Sequence, residues 1–77
     1  MYADASDTFS TRLEVCYEVL LFLASRMEQL QDGQVLEFVS SDPQAERRIR
    51  EWVEMRDYAL LGVERLAGAQ TRFLIRR

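Results

Sequence analysis

The stretch Glu14-Val15-Cys16-Tyr17-Glu18 marks the point at which the pattern of apolar residues changes. Residues 9–15 alternate between side chains suited to a buried face and polar side chains, which is typical of a half-buried strand. Residues 17–31 instead repeat apolar side chains at helical spacing, which predicts one face of a helix packed on a core. The sequence therefore predicts a strand followed by a helix, with Cys16 at the junction.

Cys16 is the only cysteine in the chain. Backbone N–H groups in the first turn of a helix lack intrahelical partners, and the positive end of the helix dipole attracts an anion. A thiol at this position is therefore favoured as the thiolate, and Cys16 is a candidate nucleophile. The alternative is that Cys16 is a small buried apolar residue, as many free cysteines are.

The predicted first helix has one apolar stripe that faces the core. The stripe consists of Leu20, Leu23, Ala24, Met27 and Leu30. Gly33 follows it and is expected to supply the left-handed turn that ends the helix. Leu21 and Phe22 point away from the stripe, and we expect them to form an apolar surface for a partner protein. The alternative is two isolated exposed apolar side chains, which are common on protein surfaces.

A second strand and a second helix follow. Residues 34–40 have the composition of a short strand. Asp42 is expected to cap the second helix, and Pro43 suits the first helical position because it has no N–H to satisfy. The buried stripe of this helix is predicted to contain Ala45, Ile49, Trp52, Val53 and the stem of Arg56. Its outer side carries Arg47, Arg48, Arg50, Glu51 and Glu54, with helical ion pairs such as Glu46–Arg50.

The last third of the chain predicts two more strands, at residues 58–66 and 70–76, joined by a short hairpin loop at residues 67–69. The order is β-α-β-α-β-β. We therefore predict an α/β (α+β) two-layer sandwich, in which a four-stranded mixed sheet carries two helices on one face. Residues 1–8 are expected to form a flexible tail, and residues 9–77 a single domain.

Composition excludes several kinds of site. The chain has no histidine, so it has no imidazole base and no histidine-containing zinc site. Its 3 glycines form no phosphate-binding loop, and we expect no cofactor and no metal. The first seven residues lack the features of a signal peptide, and the longest apolar run is too short to span a bilayer. These features predict a soluble cytoplasmic protein that does not bind membranes.

Charge is unevenly distributed along the chain. Residues 1–42 carry a net charge of −6 and residues 43–77 a net charge of +3, which gives −3 in total. Arg47, Arg48, Arg50 and Arg56 would be spread around the second helix instead of lining one stripe. Direct nucleic-acid binding is therefore not expected, although Arg47 and Arg50 are candidates for contact with a protein partner.

The order of four short motifs resembles the TusA/SirA sulfur-carrier family. These motifs are Cys16 at the start of the first helix, Gln31-Asp32-Gly33-Gln34 at its end, Ser41-Asp42-Pro43 at the start of the second, and Phe73-Leu74-Ile75-Arg76-Arg77. The resemblance implies the same fold over residues 9–77. It also implies that Cys16 carries sulfur as a persulfide from a donor, such as a cysteine desulfurase, to an acceptor protein. The family motif is Cys-Pro-x-Pro, and Tyr17 and Val19 replace its two prolines here.

Two principal hypotheses follow. In the first, the protein is a cytoplasmic sulfur carrier that relays sulfane sulfur on Cys16. In the second, it is a divergent interaction or regulatory module in which Cys16 is only packed, as the missing prolines suggest.

Overall fold

The computed structural model describes residues 5–77. Within them the chain forms β1 (Asp7–Thr11), α1 (Tyr17–Glu28), β2 (Val35–Ser40), α2 (Ala45–Arg56), β3 (Ala59–Arg65) and β4 (Thr71–Arg76). This is the predicted β-α-β-α-β-β order, and the α+β class is confirmed.

The four strands form one mixed sheet in the order β1-β2-β4-β3. β1 runs parallel to β2, whereas β4 pairs antiparallel with both β2 and β3. β2 and β3 are therefore parallel to each other with β4 between them, which requires the crossover that α2 provides. The hairpin between β3 and β4 turns through Gly68 and Ala69, both with positive φ.

Both helices pack on one face of the sheet. Leu36 and Phe38 of β2 and their β4 partners Ile75 and Phe73 are fully buried, whereas the alternate residues of β2 are only half-buried. The buried side chains of α1 and α2 belong to the same apolar cluster as these strand residues. They are Val19, Leu23, Ala24 and Met27 on α1, and Ala45, Ile49, Trp52 and Val53 on α2. The α2 stripe is the predicted one, except that Arg56 is exposed.

The first strand differs from the prediction at both ends. It begins at Asp7, so two residues assigned to the tail belong to the sheet, while residues 1–4 of that tail lie outside the described part of the chain. It ends at Thr11 instead of Val15. The alternation continues in the sequence, but the chain turns away from the sheet, which leaves Leu13 67% exposed and Val15 fully buried.

The end of α1 also differs from the prediction. The helix stops at Glu28, and its C-cap is Gln29 in a right-handed conformation. Gly33 has the expected positive φ of 89°, but it belongs to a separate turn in which the Gln34 N–H donates to the Gln31 carbonyl at 3.0 Å. The guanidinium of Arg77 donates to the carbonyls of Glu28 and Leu30, and so satisfies acceptors at the end of α1.

Candidate functional site: the turn at Cys16

Cys16 occupies the N-cap position of α1. Its backbone is extended, with φ −99° and ψ −176°, and its carbonyl accepts the Leu20 N–H at 3.0 Å. The Cys16 N–H donates to the Glu14 carbonyl at 2.8 Å, which closes a tight turn before the helix. The Cys16 side chain makes no capping hydrogen bond, so the first-turn N–H groups keep their capacity to bind an anion near the thiol.

The turn before Cys16 is tied to the start of α2. Oδ2 of Asp42 accepts the Val15 N–H at 2.7 Å, and Oδ1 of the same carboxylate accepts the Gln44 N–H at 2.9 Å. These two bonds hold the pKa of Asp42 below its ordinary value of 3.8, and the bond from Val15 contributes more than the bond from Gln44. The positive charge of Arg48 lowers the pKa further. Asp42 is therefore fixed as a carboxylate at neutral pH.

A wide groove of about 380 Å³ opens beside Cys16. Its walls are mostly apolar and come from β1, the turn after it and α1. They are Phe9, Thr11, Leu13, Cys16, Glu18, Val19 and Phe22. Cys16 is half-buried in this wall and packs against the apolar core. A partner residue entering the groove would meet apolar side chains beside the thiol.

Aromatic packing and an ion pair shape the wall of this groove at β1. The ring of Phe9 lies between Phe22, at 4.7 Å, and Phe38, at 5.6 Å between centroids. The guanidinium of Arg26 lies 5.5 Å from the centroid of Phe22 and binds Asp7 through two hydrogen bonds of 2.6 and 2.7 Å. The bond to Arg26 lowers the pKa of Asp7. This ion pair joins α1 to β1.

The structure separates Leu21 from Phe22. Both are 46% exposed, as predicted, but Phe22 lines the Cys16 groove whereas Leu21 lies on the other flank of α1. There Leu21 borders a small hollow with Tyr17, Leu20, Trp52, Met55 and Arg56. The two side chains line different hollows, because consecutive helical residues lie about 100° apart and the exposed Glu18 and Ser25 lie between them on the outer side of α1. Their contact with a partner stays a prediction.

Arg47 and Arg50 lie on the exposed side of α2, away from the residues that line the groove. The predicted Glu46–Arg50 pair is present at 3.0 Å, and Glu46 also binds Arg65 at 2.9 Å. Arg47 donates to the side-chain carbonyl of Gln44 at 3.1 Å. These contacts occupy part of the hydrogen-bonding capacity of both arginines, whose role in partner binding stays a prediction.

Two interactions at the site are not visible in the sequence pattern. The bond between Asp42 and Val15 joins residues 27 positions apart, and the bond between Asp7 and Arg26 spans 19 positions. The sequence predicted Asp42 as the cap of α2 and Pro43 as its first residue, but α2 begins at Ala45 with Gln44 as its N-cap. The Asp42 carboxylate instead accepts the Gln44 N–H in the turn just before the helix. The sequence gave no indication of the second acceptor bond.

Comparison with known proteins agrees with this arrangement. The family model described as "Sulfurtransferase TusA" matches residues 9–77. The chain belongs to the TusA family. No curated protein matches the sequence. Membership of the TusA family indicates a sulfur-carrier function in general and interaction with proteins that donate and accept sulfur.

The TusA-like domain offers no recognisable metal site within residues 5–77, where no three acidic, histidine or cysteine side chains converge. In the same part of the chain, no helix has the length and apolar character needed to cross a bilayer.

Proposed function

We propose that this TusA-family protein carries sulfane sulfur as a persulfide on Cys16. The observation that supports this most directly is the position of Cys16 at an N-cap with no side-chain cap, in an open groove. The first-turn N–H groups and the positive end of the helix dipole would stabilise the anion of a persulfide held there.

The proposed reaction is thiol exchange without net oxidation. The Cys16 thiolate attacks the outer sulfur of a donor persulfide, and a new S–S bond forms as the donor S–S bond breaks. The donor thiolate leaves with the electron pair of the broken bond. In the second step, an acceptor thiolate attacks the outer sulfur on Cys16, and Cys16 leaves as a thiolate.

We infer that the donor is a protein persulfide, such as that of a cysteine desulfurase, and that the acceptor is a second protein. Sulfur then passes between three protein thiols and needs no resident cofactor or metal. A reducing cytoplasm would keep Cys16 as a free thiol between transfers.

The experiment is intact mass spectrometry after incubation with a cysteine desulfurase and cysteine. We expect a gain of one sulfur atom, reversed by a reductant, and no gain in the Cys16→Ser variant. Absence of the gain in the wild type, or an equal gain in Cys16→Ser, would overturn the proposal.

One observation favours a second candidate function, that of an interaction module without sulfur chemistry. Cys16 is half-buried and packs against the core, as a merely structural cysteine would. In that case the folded wild type would react slowly with small thiol reagents and would take up no sulfur. Rapid alkylation together with sulfur uptake would exclude this alternative.

A further inference from the structure

One carboxylate links the starts of the two helices. Asp42 uses one oxygen for the Gln44 N–H of its own turn and the other for the Val15 N–H of the turn before Cys16. A residue that only capped α2 would leave its second oxygen to solvent or to another N–H of α2. Asp42 instead bonds one segment before α1 and one before α2, and this arrangement requires an explanation.

Asp42 is itself held from the other side. Its backbone N–H donates at 3.0 Å to Oγ of Ser40, which is fully buried at the end of β2. Its carbonyl accepts the Ala45 N–H at 3.0 Å, and Ala45 is also buried. The carboxylate therefore projects from a backbone that is anchored to both the sheet and α2.

The Val15 end of the link is equally restricted. The Val15 side chain is fully buried. The backbone of the next residue, Cys16, is held by two hydrogen bonds, because its N–H donates to the Glu14 carbonyl and its carbonyl accepts the Leu20 N–H. Loss of the Asp42 oxygen would leave the partly buried Val15 N–H without its acceptor, which is unfavourable enough to displace the turn. Because Val15 precedes Cys16 directly, such a displacement reorients the thiol.

We propose that Asp42 is a positioning residue for Cys16, which fixes the turn at residues 14–16 and thereby aims the thiol into the groove beside α1. The consequence for sulfur transfer rests on the proposed function, whereas the consequence for the position of the thiol does not. Asp42 acts through the Val15 backbone and takes no part in the exchange itself.

The test compares Asp42→Ala and Asp42→Asn with Ile49→Val. Ile49 is fully buried on the inner side of α2, so Ile49→Val weakens the same helix without touching either oxygen bond. Each variant is measured under conditions where it is fully folded by circular dichroism. The readouts are the alkylation rate of Cys16 by iodoacetamide, the amide exchange rate of Val15 by NMR, and sulfur loading by intact mass.

We expect Asp42→Ala to alkylate several-fold faster than wild type, because the thiol leaves its packed position, and to exchange the Val15 amide faster. Sulfur loading should fall in the same variant, since the thiol no longer meets the donor at the same angle. Asp42→Asn, which keeps one acceptor oxygen, should lie between Asp42→Ala and wild type. Ile49→Val should match wild type in all three readouts.

The positioning role would be overturned if folded Asp42→Ala had the same Cys16 alkylation rate and Val15 amide exchange rate as the wild type. It would also be overturned if Ile49→Val changed these rates as much as Asp42→Ala does. Failure of the wild type to load sulfur would contradict the proposed function alone. The alkylation and exchange comparison would then still decide whether Asp42 positions Cys16.

Discussion

The turns that lead into the two helices differ in the group that they present. Before α2, the Asp42 carboxylate accepts the N–H of Gln44 and the N–H of Val15, so its oxygens fix the backbone of two turns. At the start of α1, Cys16 is itself the N-cap and its side chain makes no capping hydrogen bond. The N-cap of α2, Gln44, also makes no side-chain capping hydrogen bond, so the contrast lies in the turns: a carboxylate bonded to backbone N–H groups before α2, and a thiol without such a bond at α1.

The exposed sides of the two helices also differ in composition. α2 presents charged residues, with Met55 as its one exposed large apolar side chain, whereas α1 exposes Tyr17, Leu21 and Phe22 near Cys16. Phe22 borders the Cys16 groove, whereas Tyr17 and Leu21 border the hollow on the other flank, and exposed apolar areas of this kind are typical of interaction surfaces. α2 is thus the more structural of the two helices, and the predictions below test that difference on the free energy of unfolding.

The largest effect should come from Trp52→Ala. Trp52 is 3% exposed, and its ring lies edge-on to Tyr58 at 5.5 Å. Emptying this site should cost about 3–5 kcal/mol, measured by urea denaturation. In the wild type, Trp52 fluorescence should be blue-shifted and poorly quenched by iodide. Free quenching in the folded protein, or a cost below that of a surface substitution, would contradict the placement of α2.

Asp42→Ala should have the next largest effect, a loss of about 1–2 kcal/mol, because it removes the acceptor of the Gln44 N–H and of the partly buried Val15 N–H. Asp42→Asn should cost less, since the amide oxygen still accepts one bond. Equal denaturation midpoints for wild type and Asp42→Ala would show that neither bond contributes to stability.

A smaller effect of the same carboxylate should appear as a dependence on pH. The bonds from Val15 and Gln44 lower the pKa of Asp42 in the folded state below 3.8, so its charge stabilises the fold at neutral pH. This contribution is fully present at pH values above the ordinary pKa of an aspartate. It is lost as the pH falls through the lower pKa that Asp42 has in the folded protein.

The difference in denaturation midpoint between wild type and Asp42→Asn should therefore be constant near neutral pH and narrow below about pH 4. Asp7, whose pKa is also lowered, titrates in both proteins and cancels in this comparison. A difference that stays constant in acid would contradict the role of the charge.

The sequence predicted the elements well because their signals are local. The stripe of α2 and the two C-terminal strands each follow from spacing or residue type within a few positions. The same holds for Asp42 as an acceptor of a backbone N–H before α2, although the helix starts later than predicted. The end of β1 was missed because residues 12–15 keep the alternating pattern after the chain has left the sheet. Val15 is buried, and its N–H is bonded to Asp42, a contact between distant positions that no local pattern contains.

The candidate site was predictable in part for the same reason. The spacing of Cys16 before an apolar stripe located a helix start, and the structure places Cys16 there as the N-cap. The spacing did not reveal that Phe22 and Phe9 line the Cys16 groove, whereas Leu21 and Met55 line the hollow on the other flank of α1. That separation depends on where β1 and α2 lie on either side of α1, which is a property of the whole fold.

The smallest effect on stability is expected for Tyr17→Pro, and it addresses the start of α1 directly. Tyr17 is the first helical residue and is 75% exposed, so the substitution removes little packing. Proline suits this position because its missing N–H has no intrahelical partner. It also restricts the preceding residue to extended conformations, and Cys16 is already extended at φ −99° and ψ −176°.

We therefore expect Tyr17→Pro to change the free energy of unfolding by no more than about 0.5 kcal/mol and to raise the rate of sulfur loading, because the Cys16 backbone loses competing conformations. Val19→Pro is the matched comparison. Val19 is only 6% exposed, and proline there would disfavour the helical conformation of Glu18, so this variant should be clearly less stable. Urea denaturation and intact-mass kinetics measure both variants. If Tyr17→Pro proved as destabilising as Val19→Pro, α1 would not begin at Tyr17. Cys16 would then not be the N-cap of α1, and the difference drawn between the two helix starts would be wrong.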